Sequence, residues 1–162
     1  EMYLRNIFTQ RDKKAYKLEV IQSILSENPN ENFILIGDDT QYDALVYEKI
    51  KSQFPERIEA VYIRGVKNKK YSADTKIFLT PFEIAAREYA SGRMSLAQSL
   101  SIAKNILFTR NNDLLFPHFT FCPKEKVDFP VLKEKVLTLT YNTVKSKVVR
   151  YCQNKTQWRV SE

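Results

Sequence analysis

Two buried-type strands flanking one helix of crossover length constrain this chain more than any other feature of its sequence. Phe33-Ile34-Leu35-Ile36 is a continuous apolar run that ends at Gly37, and Ile58 to Ile63 is a second such run. Between them Leu45, Val46, Ile50 and Phe54 recur at helical spacing until Pro55, which cannot continue a helix. Strand, helix and strand of these lengths predict a right-handed parallel crossover and so an α/β fold. Upstream, Leu18, Ile21, Ile24 and Leu25 mark one face of a helix stopped by Asn28-Pro29-Asn30. Met2 to Ile7 alternates apolar and polar residues as a short strand does, and Thr9 to Lys13 reads as a polar loop.

Beyond a basic loop over Arg64 to Asp74, Lys76 to Leu79 reads as a further strand. Thr80-Pro81-Phe82-Glu83 then combines a capping hydroxyl, a proline at the first helical position and an acid three residues after the cap. Gly92 is the expected stop of that helix, and another is expected from Ser95 to Leu107. Residues 108–127 are aromatic-rich and irregular, broken by Pro117 and Pro123. Leu137, Tyr141, Val144, Val148 and Cys152 fit a long C-terminal helix, although Val136 to Tyr141 also alternates like a strand.

With 162 residues, 43% of them hydrophobic, the chain suits one compact domain rather than a disordered segment. No apolar run approaches the roughly 20 residues that span a bilayer. Two cysteines, Cys122 and Cys152, are too few for a disulfide framework, so a soluble protein of a reducing, cytoplasmic compartment is expected, with a single bridge between them as the alternative. The net charge of +7 is unevenly placed: residues 1–63 carry 8 basic and 11 acidic groups, residues 64–162 carry 18 and 8. Such basicity suits nucleic acid, an anionic membrane or a phosphorylated ligand. Nucleic acid is not expected, because the Tyr and Phe residues fall at core-type positions and form no recognisable RNA-binding motif.

Chemistry concentrates in Gly37-Asp38-Asp39-Thr40-Gln41-Tyr42-Asp43, at the carboxyl end of a parallel strand, where open α/β sheets bind ligands. Gly37 permits a sharp turn, Asp38 ends the strand, and Asp43 falls in the first turn of the next helix. Two carboxylates so placed suit a hard cation such as Mg²⁺. They equally suit turn formation by Asp38 and Asp39 with a helix cap at Asp43. An acid pair after a strand is also found in response-regulator receiver domains. Those need a phosphate-accepting Asp at the end of a later strand, and here Ile58 to Ile63 runs into Arg64-Gly65 without one.

Three motifs share one register: Lys17-Leu18-Glu19-Val20-Ile21-x-x-Ile24-Leu25, Asn32-Phe33-Ile34-Leu35-Ile36-Gly37-Asp38-x-x-Gln41-x-Asp43 and Val61-Tyr62-Ile63-Arg64. Together they resemble the phosphatidate phosphatase catalytic-domain family of the haloacid dehalogenase (HAD) superfamily, over about residues 2–92 and more loosely from Leu79 onward. The resemblance implies a Rossmann-like three-layer sandwich with a mainly parallel sheet. It also implies a Mg²⁺-dependent phosphohydrolase working through an aspartyl-phosphate on phosphatidate or a related phosphomonoester. Lys17 matches the family's phosphate-stabilising lysine, and Asp38 and Asp43 match its metal-binding Gly-Asp-x4-Asp. Arg64, Lys67, Lys69 and Lys70 form either a solvated basic loop or a face toward a phosphate headgroup, for which Arg64 is the expected substrate-contact residue.

Departures from the family pattern define further expectations. Asp39-Thr40 stands where the family has Ser-Gly, Tyr42 where it has His, and Gly65 where an acid often follows Ile-Arg. The superfamily's apolar strand running into Asp-x-Asp-x-Thr/Val is absent. The chain is therefore expected to be the C-terminal half of a catalytic domain over residues 1–92, followed by a helical, aromatic-rich extension over 93–162. Its sheet would be incomplete and its partner the missing N-terminal half with the nucleophile, so alone it would not turn over phosphate. The alternative is a noncatalytic binding or interaction module of the same fold. Lys133, Lys135, Lys145, Lys147 and Arg150 form either the charged face of a packed helix or a peripheral contact for an anionic membrane. His118 is expected at a surface or structural position.

Overall fold

The computed structural model describes residues 12–67, 69–120 and 129–156. The strand expected over Met2 to Ile7 and most of the loop over Thr9 to Lys13 lie outside the described residues. The elements are α1 (Lys13–Glu27), β1 (Phe33–Asp38), α2 (Asp43–Gln53), β2 (Ile58–Arg64), β3 (Thr75–Phe78), α3 (Pro81–Ala90), α4 (Leu96–Phe108) and α5 (Lys135–Thr156). A short 3₁₀ turn covers Asn112–Leu114. The described strands form one small, open, parallel sheet in the order β1-β2-β3, so the chain is α/β.

Packing divides the described residues into two compact units, the first within residues 12–63 and 69–76, the second within 64–67 and 77–156. In the first, α1 packs on α2 and α2 on β1. Asp12 starts α1 by accepting hydrogen bonds from the N–H groups of Lys14 at 2.8 Å and Ala15 at 3.1 Å. Where α1 ends, the Arg57 guanidinium donates to the carbonyls of Asn28 (2.5 Å) and Glu31 (2.8 Å) and lies over the Phe33 ring. One side chain thus fixes where the chain leaves α1 and enters β1. Ala44, Val46 and Ile50 form the buried face of α2, whereas Leu45, expected on the apolar side, is exposed. Val46 and Ile50 are four residues apart and share a face, and Leu45 is rotated about 100° from Val46.

The second unit is built around α3, α4 and α5. Thr80 and Glu83 form the expected capping box at α3, and Gly92, just past its end, has φ +77°. Ser95 and Gln98 make a second box at α4. Phe82, Ala103, Ile106, Leu137, Tyr141, Val144 and Val148 meet in one apolar cluster joined by Phe116 and Phe119. The strand alternative for Val136 to Tyr141 is excluded, because these residues belong to α5. Cys152 is disulfide-bonded, which removes the cysteine argument for a reducing compartment. Among the described residues no helix is long and apolar enough to cross a membrane.

Candidate functional site

Asp38 is the last residue of β1 and Asp43 the first of α2, so a four-residue loop returns the second carboxylate to the strand end. The return is close because residue 37 has no side chain. A Cβ there would lie 2.7 Å from Asp43 Cβ and nearer still to its Oδ2. Asp43 Oδ2 accepts the backbone N–H of Asp38 at 3.2 Å. The same carboxylate sits at the positive end of α2, where negative charge is favoured.

Lys17 reaches this point from α1 and its Nζ forms an ion pair with Asp43 Oδ1. The Lys17 side chain is 35% exposed and that of Asp43 14%. The loop is held internally by Thr40, whose N–H (2.7 Å) and hydroxyl both donate to Asp38 Oδ1. Asp38 Oδ2 accepts no hydrogen bond among the described residues. The fold thus brings Lys17 and Asp38 each into contact with Asp43.

Neighbouring residues fix the surroundings. Asp39 is buried and its Oδ2 accepts the Tyr71 hydroxyl at 3.0 Å, while its carbonyl accepts Lys69 Nζ at 3.3 Å. Burial, and then the bond to Asp39, push the Tyr71 phenol well above its ordinary value. Glu48 on α2 accepts from Ser72 N–H and the Thr75 hydroxyl, each at 3.1 Å, and ties the same segment down. Tyr47 donates to the Ile36 carbonyl at 3.1 Å. Its phenol is pushed up to about 12 by burial and then by the charges of Asp43 and Asp38.

Beside the loop lies a cleft of about 700 Å³ walled by Thr40, Lys13 and Lys69 among others. Two ammonium groups therefore border a cleft lined by Thr40, Gln41 and Tyr42 of the loop that follows Asp38. Sequence reading passed over Lys13 and ranked Lys69 below Arg64. The signal for Lys13 was its position four residues before Lys17, on the same helical face. Arg64 belongs to the second unit, where its guanidinium lies over the Phe78 ring, 5.4 Å from the centroid. His118 is exposed. Among the described residues no group of three or more His, Cys, Asp or Glu side chains is placed to hold a metal ion.

Comparison with known proteins falls on this same stretch. Residues 1–65 match the family model of the catalytic domain of phosphatidate phosphatase APP1. Phosphatidate phosphatase APP1 of Saccharomyces cerevisiae is 40% identical over 52 residues, which are 32% of this chain and 9% of that protein. The chain therefore aligns with only a small part of the curated relative it matches. No solved structure matches. Lys17, Asp38 and Asp43 all fall inside the region that matches the APP1 catalytic-domain family, and α3 to α5 lie beyond it.

Proposed function

We propose that residues 12–63 and 69–76 carry part of the active site of a Mg²⁺-dependent phosphohydrolase of haloacid dehalogenase type. Its substrate would be phosphatidate or a related phosphomonoester. The carrying observation is the convergence of Lys17, Asp38 and Asp43 at the carboxyl end of β1, inside the stretch similar to the APP1 catalytic domain. Mg²⁺ suits the donors present. They are hard oxygens, Asp38 Oδ2 is open, and Mg²⁺ commonly takes only one or two protein carboxylates and keeps several waters. Asp38 and Asp43 would hold the ion, which when bound polarises a phosphoryl oxygen.

The remaining roles belong to the chain's own side chains. Lys17 orients Asp43 through their ion pair and offsets the charge of an approaching phosphate. Lys13 and Lys69 border the cleft beside the loop that follows Asp38 and attract a phosphate dianion. Thr40 fixes the Asp38 rotamer by donating twice to Oδ1, leaving Oδ2 directed to other partners. The nucleophilic aspartate of this family, found in its Asp-x-Asp motif, would come from sequence outside these 162 residues. β1 is an edge of the described sheet, which leaves a backbone edge for such a segment to pair with.

A Mg²⁺ titration of phosphate release from phosphatidate, run on the full-length protein and its Asp38→Asn variant, tests the proposal. Expected is a Mg²⁺-dependent activity whose half-saturating Mg²⁺ rises at least tenfold in the variant. Identical titrations would remove Asp38 from the site. An intact full-length protein with no hydrolysis at any Mg²⁺ concentration would favour the second reading, a noncatalytic binding module.

A further inference from the structure

A second cleft, of about 1010 Å³, lies within the second unit where the end of α4 and residues 109–114 face α5. Part of its lining is accounted for by packing. The Tyr151 hydroxyl donates to Asp113 Oδ1 at 2.9 Å. Lys147 Nζ donates to the carbonyls of Ile106 (2.6 Å), Leu107 (3.2 Å) and Thr109 (2.7 Å). An ammonium has three N–H groups, and here all three serve the carbonyl end of α4, which a helix leaves unsatisfied. Lys147 is thus a helix cap, not a ligand-binding charge.

Three observations remain unexplained by the fold. Arg110 and Arg150 line the cleft, are exposed, and form no ion pair or hydrogen bond among the described residues. Asn112 lines the same cleft, while its Oδ1 is buried beneath the surface without a hydrogen-bond partner among the described residues, an uncommon and costly state for a polar atom. Beside it, Phe108 is 76% exposed and Leu114 79%. Guanidinium forks match phosphate oxygens, and exposed apolar side chains next to cations are the makings of an interfacial lipid site.

We propose that this cleft binds a phosphate ester, with the phosphate on Arg110 and Arg150. Phe108 and Leu114 enter the lipid surface beside it, so the occupant is the headgroup of an anionic phospholipid. Asp113 brings one negative charge to a lining that also holds Arg110, Lys147 and Arg150, so the cleft stays net positive. The proposal is independent of the catalytic reading, since every residue it uses belongs to the second unit.

The test uses the full-length protein carrying Lys17→Ala, which separates binding here from events at the first site. Sedimentation with phosphatidylcholine vesicles, with and without phosphatidylinositol, gives the lipid arm. NMR titration with glycerol 3-phosphate gives the soluble arm. Binding should require the anionic lipid, and Arg110→Gln with Arg150→Gln should weaken both arms about thirtyfold, the equivalent of two lost charge contacts of about 1 kcal/mol each. Phe108→Ser with Leu114→Ser should weaken the vesicle arm alone. All four positions are exposed, and unchanged circular dichroism confirms that the variants are folded. Unaltered binding in the double arginine variant overturns the site. Arginine-dependent binding of glycerol 3-phosphate without vesicle binding upholds the ester site and overturns the lipid surface.

Discussion

Lys17 on α1 and Asp43 at the start of α2 are 26 residues apart in sequence and joined by an ion pair. Because the lysine is about one-third exposed, solvent screening leaves such a pair worth about 0–1 kcal/mol of stability. Its functional value is larger if it meets charge that develops during phosphoryl transfer. Lys17→Ala should therefore lower kcat for phosphatidate by about 10²–10³-fold, the usual cost of one electrostatic stabiliser. Its midpoint of thermal unfolding should stay within about 3 °C of wild type. Measuring both on the same preparation distinguishes a catalytic lysine from a structural one, for which activity would fall only in step with stability.

Gly37, one residue before the end of β1, and Gly65, just past the end of β2, make contrasting substitution sites. Alanine at 37 places a methyl group 2.7 Å from Asp43 Cβ, closer than real atoms approach, whereas alanine at 65 meets Ile77 Cγ2 at 3.1 Å and Leu79 Cδ2 at 3.9 Å. Gly37→Ala should destabilise by about 1–3 kcal/mol and abolish the Lys17 to Asp43 geometry, and Gly65→Ala should cost less than half as much. Urea unfolding of both variants checks the order. Equal costs would mean that the loop from Asp38 to Asp43 yields freely.

What could be read from the sequence depended on how local the determining interactions were. The capping box at Thr80 and Glu83, the stops at Asn28 and Pro55 and the buried face of α5 are fixed by residues within one or two turns of each other, and all three are visible in the order of side chains. Leu45 failed because apolar spacing locates a helix more surely than the face it buries. The site splits along the same line. Gly37, Asp38 and Asp43 lie within seven consecutive residues and spell a motif. The ammonium groups of Lys13 and Lys69 come to one cleft only through packing of α1 against α2 and the anchoring of Tyr71 and Thr75. Arg110, Asn112 and Arg150 share no local pattern at all and meet through the fold of the second unit.

The ambiguity at Val136 to Tyr141 yields a direct energetic test. On a strand, Leu137 and Leu139 would share a face; on α5 they diverge, and Leu137 is 0% exposed while Leu139 is 67% exposed. Leu137→Ala should cost about 2–5 kcal/mol and Leu139→Ala about 0.5 kcal/mol or less. Chemical denaturation of the two variants reads the difference. Comparable losses at both positions would contradict the helix.

Glu83 couples the start of α3 to pH. Its carboxyl is buried, and its Oε2 accepts the Thr80 N–H at 2.9 Å together with the Thr80 hydroxyl. Burial raises its pKa above the ordinary 4.5, and the hydrogen bonds from Thr80 and neighbouring backbone only partly offset this. In the folded chain the acid therefore holds its proton to higher pH than in the unfolded chain. Its contribution to stability is fully present below about pH 4.5 and declines as pH rises through the elevated folded value, because the unfolded state binds fewer protons there. Glu83→Gln keeps the acceptor that a capping box needs but has no proton to lose. The stability of the variant relative to wild type should consequently improve between about pH 4.5 and pH 7.5. Urea unfolding of both proteins across that window measures the change, and parallel curves would show that Glu83 titrates alike in the folded and unfolded chain.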